Sequence, residues 1–266
     1  MLSTHSSTSL SLTALSGIPL VSPGDDLVEI IFQSLKQTKL KLEDGDILVI
    51  AQKIISKSEG RYVRLDEVNP SEQALKLAKT TGKNPCLVEL ILSESHKVVR
   101  HRTGVIVTEN HQGVVLANAG IDHSNVEAYG GAEQVLLLPK NPDATAASIQ
   151  KELEQISKVK IAVIINDSIG RAWRNGTVGT ALGVSGLPAL LDLRGQSDLF
   201  GAPLLVSEEA IADELSSAAS LLQGQADAGR PVVLISGYTF STPAGSAMAP
   251  SGASSLIRPR EKDLFR

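Results

Sequence analysis

Two stretches of the chain place an aspartate just beyond an apolar run, each in similar company. In GVVLANAG the run exits into Asn118-Ala119-Gly120-Ile121-Asp122-His123-Ser124-Asn125, and in KIAVIINDS the run Ile161 to Ile165 gives way to Asn166-Asp167-Ser168. Two carboxylates from separate strand ends can converge on one or two divalent cations, and oxygen donors of this hardness suit Mg²⁺ or Mn²⁺. A lone aspartate after a strand is ordinarily a helix cap or a turn residue. A matched pair, each with an amide and a hydroxyl nearby, shifts the reading toward metal.

The second aspartate is followed by Arg171-Ala172-Trp173-Arg174, which holds the chain's one tryptophan, and by glycines at 176, 179, 183 and 186. Such glycines mark backbone that comes close to something or adopts positive φ. Carboxylate, hydroxyl, guanidinium pair and bare backbone are the parts of a metal-bound polyphosphate site. A glycine-rich connection carrying a solvated RxxR accounts for the stretch equally well. Gln52-Lys53-Ile54-Ile55-Ser56-Lys57-Ser58-Glu59-Gly60, at the exit of another apolar run, offers two lysines and two hydroxyls. Lysine as a point charge suits phosphate, although surface lysines are more commonly only a solvated edge. The basic cluster HKVVRHR, with His96, Arg100, His101 and Arg102, has no carboxylate or cysteine at zinc-ligand spacing. No Walker sequence GxxxxGK[ST] is present, so any nucleotide must be held by a different arrangement.

The elements that must carry these residues alternate densely. DILVIAQK, GVIVTEN, GVVLANAG, the run from Lys160 and PVVLISGY read as strands, and the second and third form a hairpin around His111-Gln112-Gly113. Gly17 to Val21 is a short extended segment before a helix that begins at Pro23-Gly24-Asp25-Asp26, with Leu27, Ile30, Ile31, Ser34 and Leu35 as its stripe. Residues 70–93 read as helix, capped by Ser71 and broken between Gly82 and Pro85; residues 142–157 read as helix after Asn141. A further helix is expected over 207–224 with Ser207 as its cap. Residues 1–16 read as a lead-in or edge strand, 17–240 as the main body with room for two lobes, and 241–266 as a mobile tail.

At 266 residues, 42% hydrophobic and 20% charged, the chain can bury a sizeable core. A net charge of −4 gives no basic footprint for nucleic acid or an anionic membrane. The single cysteine, Cys86, excludes an internal disulfide and sits in apolar company. No apolar run approaches the roughly 20 residues that span a bilayer, and the N-terminus lacks the basic and apolar regions of a secretory signal. A soluble, cytoplasmic protein is the expectation.

Four motifs in order, SKSEGR at 56–61, NAGIDHSN at 118–125, NDSIGRAWRNGTVGTALGVSG at 166–186 and GQADAGRPVVLISG at 224–237, resemble the coenzyme F420-0:L-glutamate ligase (F420 γ-glutamyl ligase) family. The resemblance runs from about residue 17 to 240. It implies a mixed α+β fold forming an intertwined homodimer, with the nucleotide groove near the interface. It also implies GTP-dependent addition of L-glutamate to a deazaflavin phospholactate cofactor precursor, with Mg²⁺ or Mn²⁺ at two sites and stimulation by K⁺. Carried over motif by motif, Asp122, Asp167, Ser168 and Gln225 become metal ligands. Asn125, Lys57 and Gln52 become nucleotide contacts, and Ile18, Pro19, Leu20 and Val21 line the base or ribose. The chain departs from the family pattern where Ser168 replaces threonine, where Gln223 replaces the methionine before Gly224, and at Gln52, where some members have serine.

The implied chemistry is phosphoryl transfer from GTP to a carboxylate, then attack of the glutamate amine on the acyl phosphate. Asp122, Asp167, Lys57, Arg171 and Arg174 are the candidates to carry it, by positioning and charge neutralisation. Three other readings share these residues: a metal-dependent nucleotide phosphohydrolase, an amide ligase with a different acceptor, and a non-catalytic nucleotide-binding or assembly protein. Retention of both aspartates argues against the last.

Overall fold

The computed structural model describes residues 8–123, 133–239 and 252–264. The chain enters as a short strand, β1 (Ser11–Ala14). Helix α1 (Leu27–Thr38) starts where the Asp26 carboxylate accepts hydrogen bonds from the N–H groups of Val28 and Glu29, two donors that lack partners within the helix. Strand β2 (Ile47–Ala51) runs without a loop into α2 (Gln52–Ser58). The polar run expected at a strand end is therefore helical. Strand β3 (Tyr62–Arg64) leads to α3 (Glu72–Thr81), capped by Ser71 and ended by Gly82 at φ +69°. Helix α4 (Pro85–Ser93) follows, with proline in its first turn, where the missing N–H costs nothing.

Strands β4 (Ser95–Arg102), β5 (Val105–Asn110) and β6 (Val115–Ala117) make an antiparallel sheet, as the hairpin signal around His111 predicts for the last two. Strand β7 (Gln134–Leu136) returns to pair with β3. Helix α5 (Pro142–Ser157), capped by Asn141, precedes the long hairpin of β8 (Ala162–Gly170) and β9 (Thr177–Ser185). A ribbon, β10 (Leu191–Asp192) with β11 (Glu208–Glu209), then leads into α6 (Ile211–Gln223) and β12 (Val232–Ser236).

The main sheet has the order β1-β12-β2-β8-β9, antiparallel except for the central β2–β8 pair. Both of its faces are covered, so its central strands are apolar throughout, as double burial requires. Leu48, Ile50, Val163 and Ile165 face α1 and α5; Val49, Ile164, Val233 and Ile235 face α6. A second core forms where α3 and α4 pack with Ile106, Ile121, Val135 and Leu137. The architecture is mixed α+β. Among the described residues no helix is long and apolar enough to cross a membrane.

Three further expectations change. Strand β8 does not stop at Asn166; it continues through Asp167 and Ser168 after a bulge between Ile165 and Asn166. The reason is that the glycine-rich stretch is itself a strand, β9, which supplies the partner. Gly179 and Gly183 serve close approach, because a Cβ there would lie 2.2 Å from Ser216 O and 2.4 Å from the Pro142 backbone. Their helices also protect this sheet edge: Asp213 accepts from Ala181 N–H and Asp143 from Val184 N–H, each at 2.8 Å. Second, α6 begins at Ile211 rather than at Ser207, because Glu208 and Glu209 pair with β10 and Ala210 takes the cap position without a side-chain bond. Third, within the stretch read as a mobile tail, residues 252–264 dock on the body. Ala253 N–H donates to Asp143 at 2.9 Å, and Arg260 Nη2 reaches both oxygens of buried Glu109 at 3.0 and 3.1 Å.

Candidate active site

The site is assembled by the start of α2, the middle of β8 and the loop after β6. In the parallel β2–β8 register Ala51 lies beside Asn166, so the first residues of α2 emerge next to Asp167. Gln52 is buried and donates its amide to Asp167 while its Oε1 accepts from Ser56 Oγ at 2.9 Å. The Asp167 carboxylate also accepts from Ser168 N–H at 2.8 Å.

Asp122 arrives from the loop after β6. Asn118, Ala119 and Gly120 adopt φ of +52°, +55° and +75° in succession, a left-handed turn rare outside glycine. A Cβ on Gly120 would meet Leu138 at 2.6 Å, so that glycine answers both to its φ and to its packing. The turn delivers Asp122 to a two-bond backbone bridge with Leu136, both at 2.9 Å. Its Oδ2 then lies 2.6 Å from Lys53 Nζ.

The two carboxylates are close enough to sense one another. Asp167 is pushed up to about 6, first by desolvation and further by the negative charge of Asp122; the Ser168 N–H, the Lys53 ammonium and Gln52 oppose the rise. Asp167 stands inside its strand rather than after it.

Ser168 Oγ accepts from Gln225 Nε2 at 2.8 Å. Gln225 reaches it because Gln223 and Asn166 exchange side-chain amide bonds of 2.9 and 3.1 Å, pinning the end of α6 to β8. Sequence reasoning gave Gln223 no role beyond a departure from the family pattern. Lys57 is half-buried in the last turn of α2, four residues after Lys53 and hence on the same side of the helix. Lys53, noted in the sequence only as one of two lysines, is the one that touches an aspartate. The i, i+4 spacing directly after a buried strand was its signal.

The remaining candidates sit differently. Val21 is buried and Ile18 half-buried against the α1 core, whereas Pro19 and Leu20 are exposed. Gly24 N–H ties this segment to Ser58 O at 2.9 Å, beside the end of α2. Arg171 and Arg174 are exposed at the β8–β9 turn, and Arg171 lines a separate cavity of about 460 Å³ with Thr180, Asp213 and Glu214. Asn125 lies outside the described residues.

The donor chemistry suits a hard divalent cation. Asp122, Asp167, the Ser168 hydroxyl and the Gln225 amide offer oxygen, and no group of three or more His, Cys, Asp or Glu occurs among the described residues. Mg²⁺ is characteristically held by one or two carboxylates, with water and phosphate completing its shell.

The fold and site thus define an α+β protein in which Asp167 stands beside Asp122, itself paired with Lys53, and which carries no P-loop. Residues 17–237 match the model of the F420-0:Gamma-glutamyl ligase family. The chain is 46% identical over 257 residues to the coenzyme F420:L-glutamate ligase of Methanothermobacter thermautotrophicus, covering 97% of this chain and 99% of that protein. It is 47% identical over 225 residues to the protein of the same name from Methanocaldococcus jannaschii, covering 85% and 86%. With that of Methanopyrus kandleri it shares 42% over 246 residues, covering 92% and 93%. The chain belongs to the F420-0:gamma-glutamyl ligase family.

Proposed function

We propose that this protein is a GTP-dependent, cytoplasmic ligase that joins L-glutamate to the phospholactate carboxylate of coenzyme F420-0. The observation that carries the reading is the neighbourhood of Asp122, from the loop after β6, and Asp167, within β8, with Lys53 of α2 on Asp122, in a chain of this family. The names of the relatives support the substrates; the donor set of the site supports Mg²⁺ or Mn²⁺.

In this reading Asp122, Asp167, Ser168 and Gln225 hold the divalent cations, which neutralise charge on the phosphates when bound. Lys57 binds phosphate, and Gln52 orients Asp167. The Ile18–Val21 segment and Asn125 bind the nucleoside, and Arg171 and Arg174 line the approach of the anionic substrates. K⁺ stimulates. The acceptor carboxylate oxygen attacks the γ-phosphorus of GTP and GDP leaves. The glutamate amine then attacks the acyl carbonyl, loses a proton, and phosphate departs. The enzyme works as a homodimer, in keeping with the exposed apolar side chains Leu199, Phe200, Leu205 and Val206 on its projecting β10–β11 arm.

Incubation with GTP, Mn²⁺, L-glutamate and coenzyme F420-0 tests the reading by product mass. The expected result is a product heavier by one glutamyl residue, with one GDP formed for each amide. GTP turnover that ignores glutamate and leaves the acceptor mass unchanged would instead indicate a phosphohydrolase.

A further inference from the structure

The cavity beside Arg171 is the feature of the structure to which the ligase reading gives no occupant. It measures about 460 Å³, within the range of small-molecule sites, and Arg171, Thr180, Asp213, Glu214 and Ser217 are among its lining. One wall is the first half of α6, laced to β9: Asp213 accepts from Ala181 N–H at 2.8 Å, and Ser217 Oγ donates to Gly179 O at 2.8 Å. Arg171, the first residue after β8, brings a guanidinium to the same cavity.

The lining carries charges of both signs that do not neutralise one another. Among the described residues Arg171 makes no ion pair with a carboxylate, and neither Asp213 nor Glu214 makes one with a cation. Burial pushes the Asp213 carboxyl up, and burial together with the neighbouring Glu209 carboxylate pushes that of Glu214 up. Carboxylates short of a cation and a guanidinium short of an anion, around one cavity, complement a zwitterion. A free amino acid is such a molecule: its ammonium suits the two acids, and its carboxylate suits the planar fork of an arginine. A nucleotide phosphate would meet two like charges here and is disfavoured.

The cavity also stands where an incoming amino acid is needed. Thr180 is the register partner of Asp167, and residues directly opposite in an antiparallel pair point to one face with Cβ atoms about 4.5–5.5 Å apart. The Thr180 wall therefore borders the face of the sheet that carries Asp167. We propose that this cavity binds the amino-acid substrate, with Arg171 on a carboxylate and Asp213 and Glu214 on the ammonium. This rests on the ligase reading and gives L-glutamate a place one strand away from Asp167.

The experiment uses the full chain with Arg171→Met, Asp213→Asn and Glu214→Gln; asparagine keeps an oxygen for Ala181 N–H. KM is measured for L-glutamate and for GTP, with glutarate, which has both carboxylates and no amine, as a competing inhibitor. Arg171→Met should raise the KM for L-glutamate about tenfold or more and weaken glutarate as much, with the KM for GTP held within about twofold. Asp213→Asn and Glu214→Gln should raise the KM for L-glutamate about tenfold while glutarate inhibits as well as in wild type or better. A KM for L-glutamate unchanged in all three variants, or a KM for GTP that rises in step with it, overturns the inference. Should the variants not fold, phenylglyoxal modification of Arg171 in the wild-type protein, mapped by mass, decides. L-glutamate and glutarate should both protect Arg171 and GTP should not; modification indifferent to L-glutamate overturns the inference. A wild-type chain that forms no amide from L-glutamate contradicts the ligase reading itself, whereas normal ligation that none of the three variants alters contradicts only this site.

Discussion

At the scale of single residues Asp122 and Asp167 set charges of the same sign against each other, and pH reads out the result. Asp167 has its folded pKa near 6, above the ordinary 3.8, chiefly through desolvation. The folded protein therefore holds this proton more tightly than the unfolded chain does. Its contribution to stability is full below about pH 4 and is lost as pH rises through about 6, by on the order of 2–3 kcal/mol. Asp167→Asn removes the titration. In metal-free protein the variant should gain on wild type over that window, measured as the difference in denaturant midpoint at each pH. A difference independent of pH would mean that Asp167 is not desolvated by the site. Lys57 is tested by Lys57→Ala, which should weaken GTP binding about ten- to a hundredfold, the worth of a charge-assisted contact of roughly 1.5–3 kcal/mol. Unchanged affinity by calorimetry would make Lys57 a solvated side chain and no more.

At the scale of elements the decisive feature is the β8–β9 hairpin, which presents Asp167 and Ser168 from within a strand and lets α5 and α6 close on its glycines. Gly179→Ala would drive a methyl into Ser216 O, a backbone atom that cannot step aside alone. The expected cost is about 1–3 kcal/mol, seen as a lowered thermal midpoint, together with loosening of the α6 end that carries Gln223 and Gln225. Gly176→Ala, with open space at its Cβ but φ of +85°, carries backbone strain without that clash. A smaller loss there than at Gly179 checks the packing argument, and an equal or greater one contradicts it.

This hairpin also shows how far the sequence could be read. The glycine spacing identified close approach and positive φ, and Gly176 and Gly186 supply the second as Gly179 and Gly183 supply the first. That the stretch is a strand was not legible, since its glycines and alanine are weak strand formers and only pairing with β8 decides it. The α5 boundaries followed from Asn141-Pro142, where a cap and a proline are local signals. The start of α6 did not, because a short ribbon formed over a distance in sequence claims Glu208 and Glu209. Among site residues, the two aspartates were visible as a matched pair. The Lys53–Asp122 contact joins residues whose adjacency exists only after the left-handed turn at Asn118-Ala119-Gly120 has formed, and one glycine in three does not announce such a turn.

At the scale of the molecule, the arm between Leu191 and Glu209 leaves Leu199 and Phe200 at 94% and 96% exposed, with Leu205 and Val206 nearby. A solvated tip of this composition is costly for a chain acting alone. The proposed homodimer would cover it, and sedimentation at micromolar concentration should give twice the chain mass. Replacing Leu199 and Phe200 together by serine should shift the protein toward monomer while leaving the body folded. A wild-type monomer that ligates at full specific activity would contradict the dimer.

The central claim is that the paired-carboxylate site moves a phosphoryl group onto a carboxylate, and the fate of one oxygen tests it most directly. Coenzyme F420-0 carrying heavy oxygen in its phospholactate carboxylate is turned over with GTP and L-glutamate, and the released phosphate is analysed by mass. Transfer through an acyl phosphate predicts one heavy oxygen in each phosphate, delivered from the acceptor. Phosphate that takes its new oxygen from water, with the label left on the acceptor, would contradict the account.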